Sequence, residues 1–310
     1  MQNKTFAKTK KATSRLGFGS WQLGNTEFWG YMSFDDGIKL VKEAVNQGVT
    51  FFDTAPGYGA GMSETIIGEA INQQHEKIII NTKIGHMADG SIDYSVSSLE
   101  DQVYESLERL QVSSIDSVLL HNPDMNILCN ETDHFEELQR LKEEGLIKAY
   151  GVSIDTYEEF EAVLKHVEVD VIEILFNVFF QDCIPLFKKA KEKGITLIAK
   201  VPLDSGWLTG KYNKDSEFEG IRSRWDIDTI EQRAYLTDKL KKITKDDSLT
   251  KYAIGFVLSF PEIDIVIPGI KNKEQLVEHI KNTNYQLPED IKKEFIKLYE
   301  EHIKNDPLVW

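Results

Sequence analysis

The chain has 310 residues, 28% of them charged, and its 51 acidic against 36 basic side chains give a formal net charge of −15. That excess repels a phosphate backbone or an anionic membrane surface and supplies no counterion release, which argues against nucleic acid or membrane as the main partner. The length admits two domains of ordinary size or one α/β barrel; no Pro/Gly/Ser-rich linker divides the sequence, which favours one domain over residues 1–310.

The basic stretch 1–11 is followed by no apolar segment, and nowhere do 18 apolar residues run together. The expectation is a soluble, unexported, cytoplasmic protein. Residues 15–19 read as a first strand. Segment 35–47 places Ile38, Val41, Ala44 and Val45 on one helical face and runs into Gly48, a residue suited to end a helix. Seven further short apolar runs, at 49–53, 78–83, 117–121, 149–153, 171–176, 195–200 and 263–267, have the two-sided character of buried parallel strands. Between them, 99–110 repeats Leu99, Val103, Leu107 and Leu110 at helical period, 135–141 and 160–164 do likewise, and 184–193 stops at Gly194. Eight strands alternating with helices predict a parallel α/β fold, either a closed barrel or an open doubly wound sheet. The two cysteines, Cys129 and Cys183, have no metal-ligand spacing and read as isolated thiols; no metal site is expected.

Several strands end on a chemically capable residue: Asp53, Lys83, His121, Ser153 and Lys200. In a parallel barrel these ends share one face, the face on which such folds carry chemistry. Tyr58 follows Asp53 by five residues. A phenol is a poor proton donor at neutral pH unless a cation stabilises its phenolate, and Lys83 is placed to be that cation with Asp53 keeping it charged. His121 would then orient a carbonyl oxygen or share the proton. Together the four suit protonation of a carbonyl oxygen.

Six separated motifs, FDTAPGYG (52–59) with Ser63, Glu64 and Gly68, NTKIG (81–85), LLHNPD (119–124), GVS (151–153), PLDSGWLTGK (202–211) and IPGIKNKEQ (267–275), stand in one order. In that order the chain resembles the aldo-keto reductases over nearly its whole length. The resemblance implies a (β/α)8 TIM barrel that uses NADPH to reduce an aldehyde or ketone, with Asp53, Tyr58, Lys83 and His121 as catalytic residues. It implies Ser153 at the nicotinamide carboxamide, Ser20 and Trp21 against cofactor and substrate, and Leu203 and Ser205 along the pyrophosphate.

Residues 269–272 precede a helix running to Lys281, and its N-terminal amides with Lys271 suit a phosphate monoester, which points to NADP over NAD. Gly269, Gln275, Glu278 and His279 complete this adenosine end; by resemblance Gln275, Glu278 and His279 fall where Arg, Glu and Asn are common. Near the nicotinamide, Ile154 stands where Asn is common, Glu173 where Gln is usual, and Lys200 where an aromatic ring commonly stacks. We expect Lys200 and Glu173 to pair with each other beneath the nicotinamide. Phe28, Trp29 and Tyr31 form an aromatic group that favours an apolar or ring-bearing substrate, with packing of their own loop as the alternative. The tail, Val309 and Trp310, reads as a plug near the substrate mouth or a plain apolar contact.

Two rival functions remain open at this point. One is a barrel glycosidase using Asp53 and Glu173 as paired carboxylates, which requires a sugar-sized gap between them. The other is a non-catalytic, cofactor-sensing subunit on the same barrel.

Overall fold

Short runs rich in β-branched residues, bounded by Gly, Asp and Ser, form the strands of this protein, and the segments between them supply apolar helical faces. The computed structural model describes residues 3–7, 9, 11–71 and 75–309; Met1, Gln2, Lys8, Lys10, residues 72–74 and Trp310 lie outside that description. An antiparallel hairpin, β1 (Asn3–Thr5) and β2 (Ala12–Ser14), comes first. Eight parallel strands follow: β3 (Gly17–Gly19), β4 (Phe51–Asp53), β5 (Ile79–Ile84), β6 (Ser117–His121), β7 (Tyr150–Ile154), β8 (Val171–Leu175), β9 (Thr196–Lys200) and β10 (Ile263–Ile267). Each pairs with the next in sequence. The ring closes where Leu16 bridges Val266 and Gly19 bridges Gly269, both in parallel. A Cβ on Gly19 would sit 2.8 Å from the Pro268 carbonyl oxygen, so a glycine is required at this seam. The architecture is a (β/α)8 barrel, and all eight of its strands were legible in the sequence to within two residues.

Helices cover the outside. Phe34–Asn46 is capped by the Ser33 hydroxyl, which accepts from the Asp36 amide, and it ends before Gly48, whose φ of 86° suits the left-handed turn. Tyr157–His166 carries a full capping box between Thr156 and Glu159. Four helices had no clear sequence signal. Met62–Ile71 and Thr250–Leu258 are buried nearly all round and lack an amphipathic stripe, while Ile227–Thr244 is polar on most of its surface. Glu289–His302 packs Phe295, Leu298 and Tyr299 inward beyond the last strand. Among the described residues no helix is long and apolar enough to cross a membrane.

Alternation along the strands sorts the interior. Phe51, Ile79, Leu119, Ala149, Val171, Ile198, Ile265 and Ile267 form the apolar filling of the barrel, and Phe6, carried by the hairpin, stoppers its lower end with its ring 5.5 Å from that of Phe51. At the same lower rim Asp116 and Asp264 each accept a main-chain amide from the neighbouring strand, from Ile80 and Leu197, and an ammonium, from Lys148 and Lys191. Two residues above each apolar position of β4 to β9 stands a polar or small one, and these make the upper interior. Replacing the fully buried Phe6 by Ala removes the stopper and leaves a cavity. We expect Phe6→Ala to cost about 3 kcal/mol, read as a lowered urea midpoint at unchanged slope.

Candidate active site

Because side chains alternate, Phe51 and Asp53 share the inner face of β4, as do Ile79, Asn81 and Lys83 on β5, Ser117, Leu119 and His121 on β6, Val171 and Glu173 on β8, and Ile198 and Lys200 on β9. Buried on the axis is Lys83, 0% exposed, with Asp53 at 3% and Glu173 at 1%. The Lys83 Nζ donates to Asp53 Oδ1 at 2.7 Å and to the Thr54 carbonyl at 3.1 Å, and stands 3.5 Å from Glu173 Oε1. Asn81 Nδ2 bridges the two carboxylates, 2.8 Å from Asp53 Oδ1 and 3.4 Å from Glu173 Oε2, while the Ser117 hydroxyl hydrogen-bonds the other end of the Asn81 amide. Tyr58 lies above, with Lys83 Nζ 5.2 Å from its ring centroid and the His121 ring 6.1 Å away. The structure thus brings Asp53, Tyr58, Lys83 and His121 together.

Charge follows from this packing. Burial pushes the Asp53 carboxyl up to about 7, the neighbouring negative charge of Glu173 adds to that, and Lys83 opposes it only in part. For Lys83 burial disfavours the ammonium, but the pull of Asp53 and then Glu173 outweighs it, so its proton is held more tightly than usual. Burial also raises the Tyr58 phenol, against the lowering effect of Lys83. His121 is held well below the ordinary imidazole range, by burial first and then by the charge of Lys83, and is neutral at pH 7. Its buried Nδ1 has no hydrogen-bond partner among the described residues.

A cavity of about 690 Å³ opens above these groups, in the range of small-molecule sites. Ser20, Trp21, Trp29, Asp53, Tyr58, His121, Glu173 and Lys200 line its deep end, Leu203 and Ser205 its side, and Gly269, Lys271, Gln275, Glu278 and His279 its far end. Lys83 and Ser153 stand behind the wall. Trp29 packs edge-on to Trp21 at 5.2 Å and Phe28 lies 6.4 Å from Trp21, but Tyr31 is 86% exposed and does not join the aromatic group. At the far end Asn272 caps the helix Lys273–Asn282 by accepting from the Gln275 amide. His279, 2% exposed, is buried beside the Gly269 backbone, and burial lowers its pKa to about 4, against the raising effect of a hydrogen bond with Gly269.

The expected ion pair between Lys200 and Glu173 is not made. Lys200 Nζ lies 2.8 Å from Asp155 Oδ1 and donates to Asn122 Oδ1 and to the Ser153 hydroxyl, which in turn donates to Glu173 Oε1 at 3.0 Å. The serine hydroxyl separates the two groups, and Glu173 is turned inward to Lys83 instead. The alternation of β7 also sends Ile154 outward into the helix-facing core. Glu173 and Asp53 share one ammonium and one amide, leaving no gap for a sugar between them, so a paired-carboxylate glycosidase does not fit.

Sequence reasoning missed Asn81, His86, Asn122, Asp155 and Arg222. Asn81 was legible, two residues before Lys83 on the same strand face. His86 stacks on His121 at 4.5 Å, one residue past the NTKIG motif. Arg222 arrives from a short 3₁₀ helix, Gly220–Arg224, with no sequence pattern; it sits 4.5 Å over the Trp29 ring and donates to the Ser205 carbonyl. Positive φ at Val201, Asp204, Ser205 and Gly206 strains the neighbouring loop. That loop is pinned by a fully buried ion pair, Asp204–Arg233 at 2.9 Å, and Arg233 also donates to the Val309 carbonyl. Val309 does not line the cavity, and Trp310 lies outside the described residues.

Comparison with known proteins gives one answer. The model of a family described as "Aldo/keto reductase family" matches residues 15–300. The chain is 29% identical to "Aldo-keto reductase YhdN" of Bacillus subtilis (strain 168), over 99% of this chain and 96% of that one. It is 27% identical to an "NADH-specific methylglyoxal reductase" of Escherichia coli (strain K12), over 88% and 91%. Among solved structures, an aldo-keto reductase from Bacillus halodurans in holo form superposes with a TM-score of 0.81 at 22% identity, covering 96% of both chains. A glycerol dehydrogenase from Gluconobacter oxydans gives 0.79 at 25% identity, covering 99% of this chain and 98% of that one.

The charge pattern has a spectroscopic consequence. The His121 imidazole resonances are expected to stay in their neutral position from about pH 8 down to about pH 5, where a free histidine has become charged; an NMR titration midpoint near the ordinary value would contradict it.

Proposed function

The chain belongs to the aldo/keto reductase family, and from that premise we propose that it reduces an aldehyde or ketone to an alcohol with NADPH, as one barrel domain over residues 1–310. The observation that carries the reading is the buried ammonium of Lys83 beneath the Tyr58 ring, held by Asp53 at 2.7 Å. The cavity fits an extended dinucleotide: it runs from Tyr58 to the helix Lys273–Asn282, where Gly269, Lys271, Gln275 and the buried His279 line its wall. Ser20 and Trp21 would hold the nicotinamide end, Leu203 and Ser205 the pyrophosphate, and Gly269, Lys271, Gln275, Glu278 and His279 the adenosine.

When bound, the nicotinamide supplies the hydride that the carbonyl carbon accepts. The chain's own residues manage the oxygen. Tyr58 gives its proton to the developing alkoxide, Lys83 offsets the charge left on the phenol, and Asp53 keeps Lys83 charged and in place. His121, held neutral, turns a ring N–H toward the carbonyl oxygen and orients it. Trp21 and Trp29 cover the substrate with apolar surface and exclude water. Ile154 faces away and the Ser153 hydroxyl is taken up by Lys200 and Glu173, so the carboxamide would find fewer partners than the family pattern implies. This observation favours, as a second reading, a non-catalytic cofactor sensor built on the same barrel.

Turnover separates the two readings. Tyr58→Phe is expected to lower carbonyl reduction by about 10³-fold while leaving NADPH binding, followed by tryptophan quenching, within about threefold; equal, negligible turnover by both proteins would favour the sensor. Preference for NADPH rests on Lys271 and the amides before the helix Lys273–Asn282, against the carboxylate of Glu278 at the same end. We therefore expect Lys271→Ala to weaken NADPH about tenfold, roughly 1.4 kcal/mol, with little change for NADH. An unchanged ratio of the two dissociation constants would remove the NADP assignment.

A further inference from the structure

Glu173 has no role in the proton transfer just described, yet it is buried against the group that controls it. An ammonium has three N–H donors. On Lys83 one is taken by Asp53 Oδ1 at 2.7 Å and one by the Thr54 carbonyl at 3.1 Å, and the third lies between Glu173 Oε1, 3.5 Å away, and the Tyr58 phenol. Glu173 is fixed in this position by the Ser153 hydroxyl at 3.0 Å and by Asn81 Nδ2 at 3.4 Å. Two carboxylates on one ammonium leave the cluster formally negative, where Asp53 and Lys83 alone would be neutral.

We propose that Glu173 is a positioning residue that acts through Lys83, competing with the phenolate for the third donor so that Tyr58 is kept in its protonated form and the site is tilted toward giving a proton to a carbonyl rather than taking one from an alcohol. The inference rests on the reading of Tyr58 as proton donor. The direction follows from Coulomb's law: a buried negative charge beside the phenol resists a second one appearing on it. The other charged or titratable groups around the cluster are accounted for. Asp53 from β4 already holds Lys83, His121 from β6 and the stacked His86 are held toward their neutral forms, and Lys200 from β9 is neutralised by Asp155. Glu173 is the surplus charge. Its own element, β8, brings no other polar group to the cluster; Ser153 reaches it from β7.

The test compares the wild type with Glu173→Gln and Glu173→Asp. Alcohol oxidation and carbonyl reduction are followed against pH, and the cofactor-free proteins, labelled with ¹³C at the aspartate carboxyls, are titrated by NMR. In Glu173→Gln the onset of alcohol oxidation should move down by about one pH unit, a tenfold gain at a fixed pH below the wild-type onset. The Asp53 resonance, which burial and then the charge of Glu173 hold above the ordinary carboxylate range in the wild type, should move to lower pH. Glu173→Asp, which keeps the charge, should hold both midpoints closer to wild type than the glutamine does; a purely structural role would shift neither profile. An unchanged oxidation onset in Glu173→Gln with carbonyl reduction intact overturns the inference and leaves the reductase reading standing. Absence of turnover in the wild type overturns both, and an unmoved Asp53 resonance overturns the charge coupling by itself.

Discussion

An ammonium with no exposure to solvent is the constraint on which this site is built. Moving a lysine head group from water into a barrel interior is costly unless a counter-charge and hydrogen-bond acceptors go with it. Here Asp53, the Thr54 carbonyl and Glu173 provide them, and the consequences spread from that point. Asn81 must lie where it does to separate two carboxylates that would otherwise repel, and Ser117 must hold Asn81. Burial first, and then the same positive charge, keep His121 neutral. Removing the ammonium would leave two buried carboxylates facing one another.

The scaffold makes this arrangement by simple means. Strands with a two-residue repeat put apolar filling at the lower interior and polar groups two positions higher, so one alternation supplies both the core and the site. The lower rim is tied by carboxylates that clamp a strand amide and an ammonium together. The upper rim carries the strained loop at Val201 to Gly206, whose left-handed residues are tolerated because Asp204 and Arg233 fasten it from behind.

How far the sequence disclosed this depended on the range of each interaction. Strand ends were readable because β-branched runs and a polar terminal residue are local, and Asp53, Lys83 and His121 were found that way. Asn81 obeys the same alternation and was overlooked only because it sits inside a strand. The partner of Lys200 was misjudged because Glu173 and Asp155 are both acidic and both near in space, and the choice turns on which face of β7 and β8 each leaves from, and on a serine hydroxyl between them. Arg222 reaches Ser205, and Arg233 from the helix Ile227–Thr244 reaches the tail at Val309, over long separations in chain that no local signal announces. Met62–Ile71 was hidden for the opposite reason: a helix buried on nearly every side has no stripe to read.

The hairpin residue Phe6 has a consequence for traffic. With its ring lodged at the foot of the barrel against Phe51, the interior is a blind well, and Tyr58 is reached from the upper end alone. Anything that enters this well must leave by the same mouth, and the apolar filling around Phe6 keeps it so.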